Sequence, residues 1–326
     1  MTLEQTAQWA RAALVYDLLL AAEPGNLEAL TRRAAVACNL GDLDGAAAAL
    51  VRAAGAQPGE RALQIAVTQL LIGFGRMPDA VAVLRTAIAH DPALELFRLL
   101  EQAVFPGPTY FQHLGWLHEA KRPRTYLEIG IREGQSLRLA RPPSRAFGVD
   151  PAPCLDSAEF PTDTRIFEVT SDTFFTDRLW EREAGAVAFD FTFIDGLHLF
   201  EQVLRDFINA ERHSAPGGVI AIHDTVPLVP ISAERDPTAA FWCGDVWKLV
   251  PCLERHRPDL TITTVPTAPS GLTIVTGLDP ASTVLRDRAD ALVHELAALP
   301  FASHEARLPA LLATPNEQAT LLRALG

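Results

Sequence analysis

The sequence predicts an α/β domain built on a seven-stranded, doubly wound sheet whose last pair of strands is antiparallel, preceded by an all-α domain of helical repeats. Three observations predict it. Pro24, Pro58 and Pro92 recur at a constant step of 34 residues. From residue 125 onward, short apolar runs alternate with helical or loop segments, as parallel strands with crossovers do. Two final apolar runs, 260–266 and 271–277, are separated only by "TAPS", too short for the crossover of a parallel pair.

Within the first hundred residues other positions keep the same step: Gly41 with Gly75, Ala46 with Ala80, Leu50 with Leu84, Ala53 with Ala87. Small alanines let paired helices approach closely, glycine ends the first helix of each pair, and proline ends the second. A 34-residue period of paired helices closed by proline resembles the tetratricopeptide family. That resemblance implies a helical solenoid over 1–104. Leu30 and Gln64 stand where the family carries large aromatics, so the copies are degenerate. Residues 6–22 read as the second helix of a truncated preceding repeat. The repeats are read either as a surface for a protein partner or self-association, or as a packing module; no basic or aromatic cluster marks a groove. Residues 105–124, "FPGPTYFQHLGWLHEAKRPR", read as the connection, with proline and glycine early and a short helix after.

The second domain, 125–326, carries the strand candidates "TYLEIGI" (125–131), "RAFGVD" (145–150), "RIFEVT" (165–170), "FDFTFID" (189–195) and "GVIAIHD" (218–224). "LTITTVP" and "GLTIVTG" close the set as a hairpin. Right-handed crossovers then give the doubly wound sheet. From "ASTVLRDRADALVHELAALP" onward the chain is helical by periodicity.

Composition narrows the function classes. Lys and Arg number 28 against 40 Asp and Glu, a formal net charge of −12, which disfavours phosphate backbones and anionic lipid surfaces. The one basic stretch, Lys121 to Arg124, is short and broken by Pro123. Neither nucleic acid nor membrane is expected as a partner. Cys38, Cys154, Cys243 and Cys252 are scattered without a C-x-x-C pair, which fits a reducing cytoplasm and argues against a zinc or disulfide framework. The apolar stretch "AALVYDLLLAA" is short and carries Asp17, so neither a signal peptide nor a membrane span is expected.

The chemistry gathers at strand ends, where open α/β sheets bind ligands. The first strand runs into Glu128, Gly130 and Gly134, an E-x-G-x-x-x-G pattern whose glycines let the backbone approach a ligand at the turn. Asp150 closes the second strand and is placed to accept hydrogen bonds from both hydroxyls of a ribose. This is not the G-x-G-x-x-G of nicotinamide enzymes, which disfavours an oxidoreductase. The fourth strand ends in Asp195 and His198, and the fifth in His223 and Asp224. Carboxylates that meet at adjacent strand ends make a hard-cation site.

Taken together, E-x-G-x-x-x-G, "GVD", "FDFTFIDGLHLFEQVLRDF" and "APGGVIAIHDTVP" resemble class I S-adenosylmethionine-dependent methyltransferases, in the branch called methyltransferase family 24. The similarity covers roughly residues 120–280. It implies the seven-stranded sheet with a reversed last strand, and S-adenosylmethionine bound by Glu128, Gly130, Gly134, Asp150 and Asp172. The acid after the third strand, Asp172, is placed either to reach the adenine amino group or, with Ser171, to cap a helix. By position in related metal-dependent enzymes, Asp195 and Asp224 imply ligands for magnesium or manganese, with His223 a further ligand. His198 implies the base that deprotonates a hydroxyl on a sugar or other small polar acceptor. His223 departs from the acidic ligand or other oxygen donor common nearby in those relatives and shifts the plausible metal toward Mn²⁺, Fe²⁺ or Zn²⁺. The plainer readings are that Asp195 caps the following helix and His223 bonds a loop. In "FWCGDVWKLV", where two tryptophans stand beside Asp245 and Lys248, the plainer reading is an N-capped helix with Trp247 in the core; Trp242, on the preceding loop, is placed to wall an acceptor pocket. The rival of another class is an inactive methyltransferase fold that acts through its repeats; intact Glu128, Gly130, Gly134 and Asp150 argue against it.

Overall fold

Each of the three spaced prolines stands two residues beyond a helix end. Helices α1 (Leu3–Ala22), α3 (Leu43–Ala56) and α5 (Met77–His90) stop just short of Pro24, Pro58 and Pro92, because the residue before a proline is pushed out of the helical region. Between them lie α2 (Leu27–Leu40) and α4 (Arg61–Gly73), with α6 (Leu94–Val104) last. Gly41 and Gly75, at φ 77° and 72°, take the left-handed conformation that ends α2 and α4. Ala46, Ala53, Ala80 and Ala87 are fully buried at the tight helix contacts. Gln64 sits buried where the family carries an aromatic. Its Nε2 donates to the carbonyls of Ala54 and Gln57, at 2.9 and 2.8 Å, so a polar side chain closes the end of α3 in place of a ring.

The computed structural model describes residues 3–156, 159–185 and 187–326. The chain divides into two units, Met1–Val104 with Ala239–Phe241, and Phe105–Thr238 with Trp242–Gly326. The segment 105–124, expected as a connection, lies in the second unit. It forms α7 (Tyr110–Lys121), whose Leu114 and Leu117, one turn apart, are fully buried in the core on one face of the sheet.

Seven strands follow: β1 (Thr125–Ile129), β2 (Arg145–Val149), β3 (Asp163–Phe167), β4 (Phe189–Ile194), β5 (Ser214–His223), β6 (Thr261–Val265) and β7 (Leu272–Thr276). Their spatial order is β3-β2-β1-β4-β5-β7-β6. β1 to β5 are parallel, and β7 runs antiparallel to both β5 and β6. The expected closing hairpin is therefore present, with β7 inserted between β5 and β6. β3 begins two residues earlier than expected, and it ends earlier because Thr170 caps the next helix. Between β1 and β2 a single 3₁₀ turn, Leu137–Leu139, stands where a crossover helix would be; Pro142 and Pro143 lack the amide protons a longer helix needs.

The central strands are apolar on both faces because both are covered. Leu127, Ile129, Phe147 and Val149 pack with Phe174 of α8 (Ser171–Thr176), Trp180 of α9 (Leu179–Ala184), Phe207 of α10 (Phe200–Arg212) and Leu253 of α11 (Leu249–His256). Leu292 of α12 (Ala289–Ala297) completes that layer. Tyr126, Ala146, Phe191 and Val219 face α7 and Leu321 on the other side. The chain ends in the short helices α13 (Phe301–Glu305), α14 (Leu308–Leu312) and α15 (Gln318–Leu325). Among the described residues no helix is long and apolar enough to cross a membrane.

Strand order reverses between β1 and β4, which is where open α/β sheets form a ligand crevice. The register pairs Ile129 with Ile194, so the loops leaving these two strands emerge side by side. They press together closely enough that a Cβ on Gly130 would lie 2.0 Å from the Asp195 carbonyl oxygen. With its φ of 84°, only glycine fits there.

Candidate active site at the carboxyl edge of the sheet

Asp195 follows β4 directly, its amide donating to the Ile129 carbonyl at 2.8 Å. His198 lies three residues on, before α10. That helix is not capped by Asp195: the Phe200 amide donates to Oδ1 of Asp245 at 2.6 Å, from a loop 45 residues later. Asp195 is thereby left free to turn toward the next strand end. There β5 finishes at His223, and Asp224 adopts a left-handed backbone at φ 60°. Asp tolerates that region better than most residues, yet such a conformation costs on the order of 1–3 kcal/mol and persists only where the surroundings fix it.

Four side chains converge. Nε2 of His198 lies 3.1 Å from Oδ2 of Asp224 and 3.5 Å from Oδ1 of Asp195. Nδ1 of His223 lies 3.2 Å from the same Asp195 oxygen and 3.5 Å from the same Asp224 oxygen. Asp224 and His223 are buried, and Asp195 and His198 are each about one-fifth exposed at the side chain. The Nδ1 of His198 is 3.1 Å from the Trp242 carbonyl. A carbonyl only accepts, so Nδ1 carries the proton and Nε2 is the atom that faces the carboxylates. Trp242 also stacks on the His198 ring, with centroids 5.2 Å apart.

Electrostatics follow from this packing. Burial alone would lower the His198 pKa, but Asp224 and Asp195 outweigh it and push it up to about 9. His223 rises likewise against its burial, under the pull of Asp224 and Asp195, to about 10. Burial opposes ionisation of the two aspartates; the imidazoles nonetheless hold both below the usual carboxylate range. Two carboxylates facing two imidazoliums balance in charge, and a divalent cation would do the same work. Asp195, His198 and Asp224 each offer one donor atom, and the three atoms lie within 4.8 Å of one another. Two carboxylate oxygens and an imidazole nitrogen suit Mg²⁺ less than Mn²⁺ or Fe²⁺. This donor set contains His198, whereas His223 was the histidine expected among the ligands. His223 approaches the same oxygens, and its Nε2 is buried without a hydrogen-bond partner among the described residues.

The residues expected to hold a cofactor stand in β1 and the loop after it, just past β2, and in α8. Glu128 is fully buried, its oxygens accepting from the Tyr126 hydroxyl at 2.6 Å and the Ser136 hydroxyl at 2.5 Å. Burial pushes its pKa up to about 8, which these two hydrogen bonds only partly oppose. Glu128 thus ties the end of the glycine loop to β1. Gly134 has φ 73°, and a Cβ there would lie 2.9 Å from Leu155. Asp150 accepts from the amides of Ile131 and Arg132 through Oδ2, at 3.1 and 2.9 Å, and from Ala152 through Oδ1 at 2.8 Å. A carboxylate has about four acceptor positions, so one remains for a ligand hydroxyl. Asp172 is exposed in the first turn of α8 and pairs with Arg205 at 3.4 Å. Neither it nor Ser171 caps that helix: Thr170 does, accepting from the Thr173 amide at 3.2 Å.

Residues 127–225, from β1 to just past Asp224, match the sequence model of a family described as a methyltransferase domain, family 24. Several solved structures resemble the chain. The O-methyltransferase TomG from Streptomyces achromogenes, in complex with SAM, is 18% identical over 60% of this chain and 88% of its own, with a TM-score of 0.37. The O-methyltransferase from Bacillus cereus, in complex with SAH, is 18% identical over 66% and 96%, with a TM-score of 0.38. A cofactor-bound protein from MTB is 20% identical over 62% and 97%, at 0.39. At these scores the likenesses add no argument about activity. No curated protein matches the chain.

The site also draws on Tyr110 and Asp245, to which the sequence alone gave no role. Tyr110 of α7 lays its ring on His223, with centroids 4.1 Å apart, and burial followed by the charges of Asp195 and Asp224 raises its pKa. Asp245 caps α10 and pairs with Lys248 and Arg235 at 3.2 and 2.8 Å. The stretch "FWCGDVWKLV" sets this acid beside two tryptophans, but nothing in the sequence names a partner so far back in the chain. Trp247 is indeed core, 2% exposed.

Proposed function

We propose that the methyltransferase domain uses S-adenosylmethionine to methylate a hydroxyl of a small polar acceptor, a sugar being the narrower reading, at the Asp195–His198–Asp224 cluster with a divalent cation. The observation that carries this reading is the convergence of those three side chains from the adjacent ends of β4 and β5, with Nε2 of His198 aimed at both carboxylates.

The donor set fits a divalent cation, which Asp195 and Asp224 would hold; when bound, it supplies Lewis acidity toward an acceptor oxygen. S-adenosylmethionine supplies an electrophilic methyl group. The protein's own part is proton management and orientation. His198, with Nδ1 committed to the Trp242 carbonyl, presents the Nε2 lone pair to the acceptor hydroxyl and takes its proton. Asp195 and Asp224 then stabilise the imidazolium they already face. His198 is assigned this part because its ring is the more exposed of the two imidazoles and lies on the side open to an acceptor, whereas His223 is sealed under Tyr110. Trp242 stacks on the same ring and helps fix its orientation.

For the cofactor, Glu128, Gly130 and Gly134 shape the loop, and Asp150 takes the ribose. Asp172, exposed beyond β3, is the acid for the adenine amino group. Replacing Asp150 with alanine should weaken S-adenosylmethionine binding by ~1–3 kcal/mol, the cost of charge-assisted hydrogen bonds. Calorimetric titration of a folded Asp150→Ala protein tests this, and unchanged affinity removes Asp150 from the site.

The 34-residue step that α2 keeps with α4, and α3 with α5, supports reading the first unit as degenerate tetratricopeptide-like repeats that serve a protein partner or self-association. All four cysteines are free thiols, which supports a cytoplasmic setting.

A further inference from the structure

The turn between β6 and β7 reaches the site from outside the matched stretch 127–225. Ser270, at its end, is fully buried and holds the chain after β5 at two points. Its hydroxyl donates to Oδ1 of Asp224, and its carbonyl accepts from the Val226 amide at 2.6 Å. The next residue, Gly271, lets the turn press in: its φ is 80°, and a Cβ there would lie 2.3 Å from a Val226 methyl. The turn is itself fixed, since the Tyr110 amide donates to the Ala268 carbonyl at 3.2 Å and the Thr267 hydroxyl to the Pro108 carbonyl at 2.7 Å.

With Ser270 bound to Oδ1, Oδ2 is the oxygen of Asp224 that faces His198 and His223. The left-handed backbone of Asp224 needs outside support, and Ser270 supplies it to both the side chain and the following backbone. We propose that Ser270 is the positioning residue for Asp224, fixing which carboxylate oxygen is offered to a divalent cation. This rests on the cation reading given above. Ser270 touches neither acceptor nor cofactor in this scheme; it acts through Asp224 alone.

Hydrogen-bond partners of metal ligands typically contribute about 10–100-fold in metal affinity. The test is Mn²⁺ binding to the full chain, followed by electron paramagnetic resonance of free Mn²⁺, with S-adenosylmethionine affinity measured in parallel. Ser270→Ala should weaken Mn²⁺ binding by ~10–100-fold while leaving cofactor affinity unchanged, and Ser270→Thr, which keeps the donor, should recover part of the loss. A purely structural role would lower both affinities together and would overturn the proposal. Unchanged Mn²⁺ affinity in Ser270→Ala would overturn it alone and leave the cation reading standing. Wild-type protein that binds no Mn²⁺ would overturn the cation reading and this proposal with it. Should Ser270→Ala not fold, Ser270→Cys, similar in size and a weaker donor, replaces it: a smaller loss in the same direction supports the proposal, and none overturns it.

Discussion

Replacing Asp224 with alanine should abolish divalent-cation binding and nearly all methyl transfer. Asp224 is 4% exposed at the side chain and faces both imidazoles, so its loss removes a ligand and leaves two buried cations sharing Asp195. Breaking a buried ion pair by removing one partner costs about 3–5 kcal/mol, so the cation-free variant should also unfold at a markedly lower temperature. Asp195→Ala should lose cation binding equally, with a smaller fall in stability because Asp195 is the more exposed carboxylate. Mn²⁺ titration and thermal unfolding of both variants check this. A variant that retains wild-type cation affinity excludes the replaced carboxylate from the ligand set.

His198→Ala separates two roles that one nitrogen can play. As proton acceptor, His198 contributes ~10²–10⁴-fold to the transfer step, and its removal should slow turnover by that factor while cation and cofactor still bind. If Nε2 were instead an obligatory ligand, cation affinity would collapse together with the rate. The rate of the wild type should rise with pH, since only the neutral ring accepts a proton and the two aspartates hold the cation-free ring protonated up to about 9. In His198→Ala that rise should be lost or reduced. A fully active variant assigns the proton to another group, His223 being the nearest imidazole.

Much of the fold was legible because its signals are local. The prolines at 24, 58 and 92 stop helices by steric exclusion wherever they occur, and the four residues between the last two apolar runs allow nothing but a hairpin. The strand ends were legible for the same reason: a hydrophobic run that breaks at Asp195 or Asp224 sets its polar residue at the carboxyl edge of the sheet. The segment 105–124 misled because Pro106, Gly107 and Pro108 look like a linker, while the burial of Leu114 and Leu117 depends on a sheet not yet formed at that point of the chain. Distance in sequence hid the rest. Asp245 caps a helix that begins 45 residues earlier, and Ser270 grips an aspartate 46 residues away; neither pairing leaves a periodic trace. Glu128 stands in β1, just before the glycine loop, and its hydrogen bonds are internal, from Tyr126 and Ser136.

The central claim is that Asp195 and Asp224 bind a divalent cation in place of the protonated imidazoles they otherwise face. The most direct test is calorimetric titration of Mn²⁺ into the cofactor-saturated protein between pH 6.5 and 9, in buffers of different ionisation enthalpy. Without a cation, His198 and His223 stay protonated up to about 9 and 10, well above the ordinary histidine value near ~6.5. A cation must therefore displace protons, so its affinity should rise with pH across this window and its binding should release protons to the buffer. Absence of binding, or an affinity that does not change with pH and releases no proton, would contradict the account.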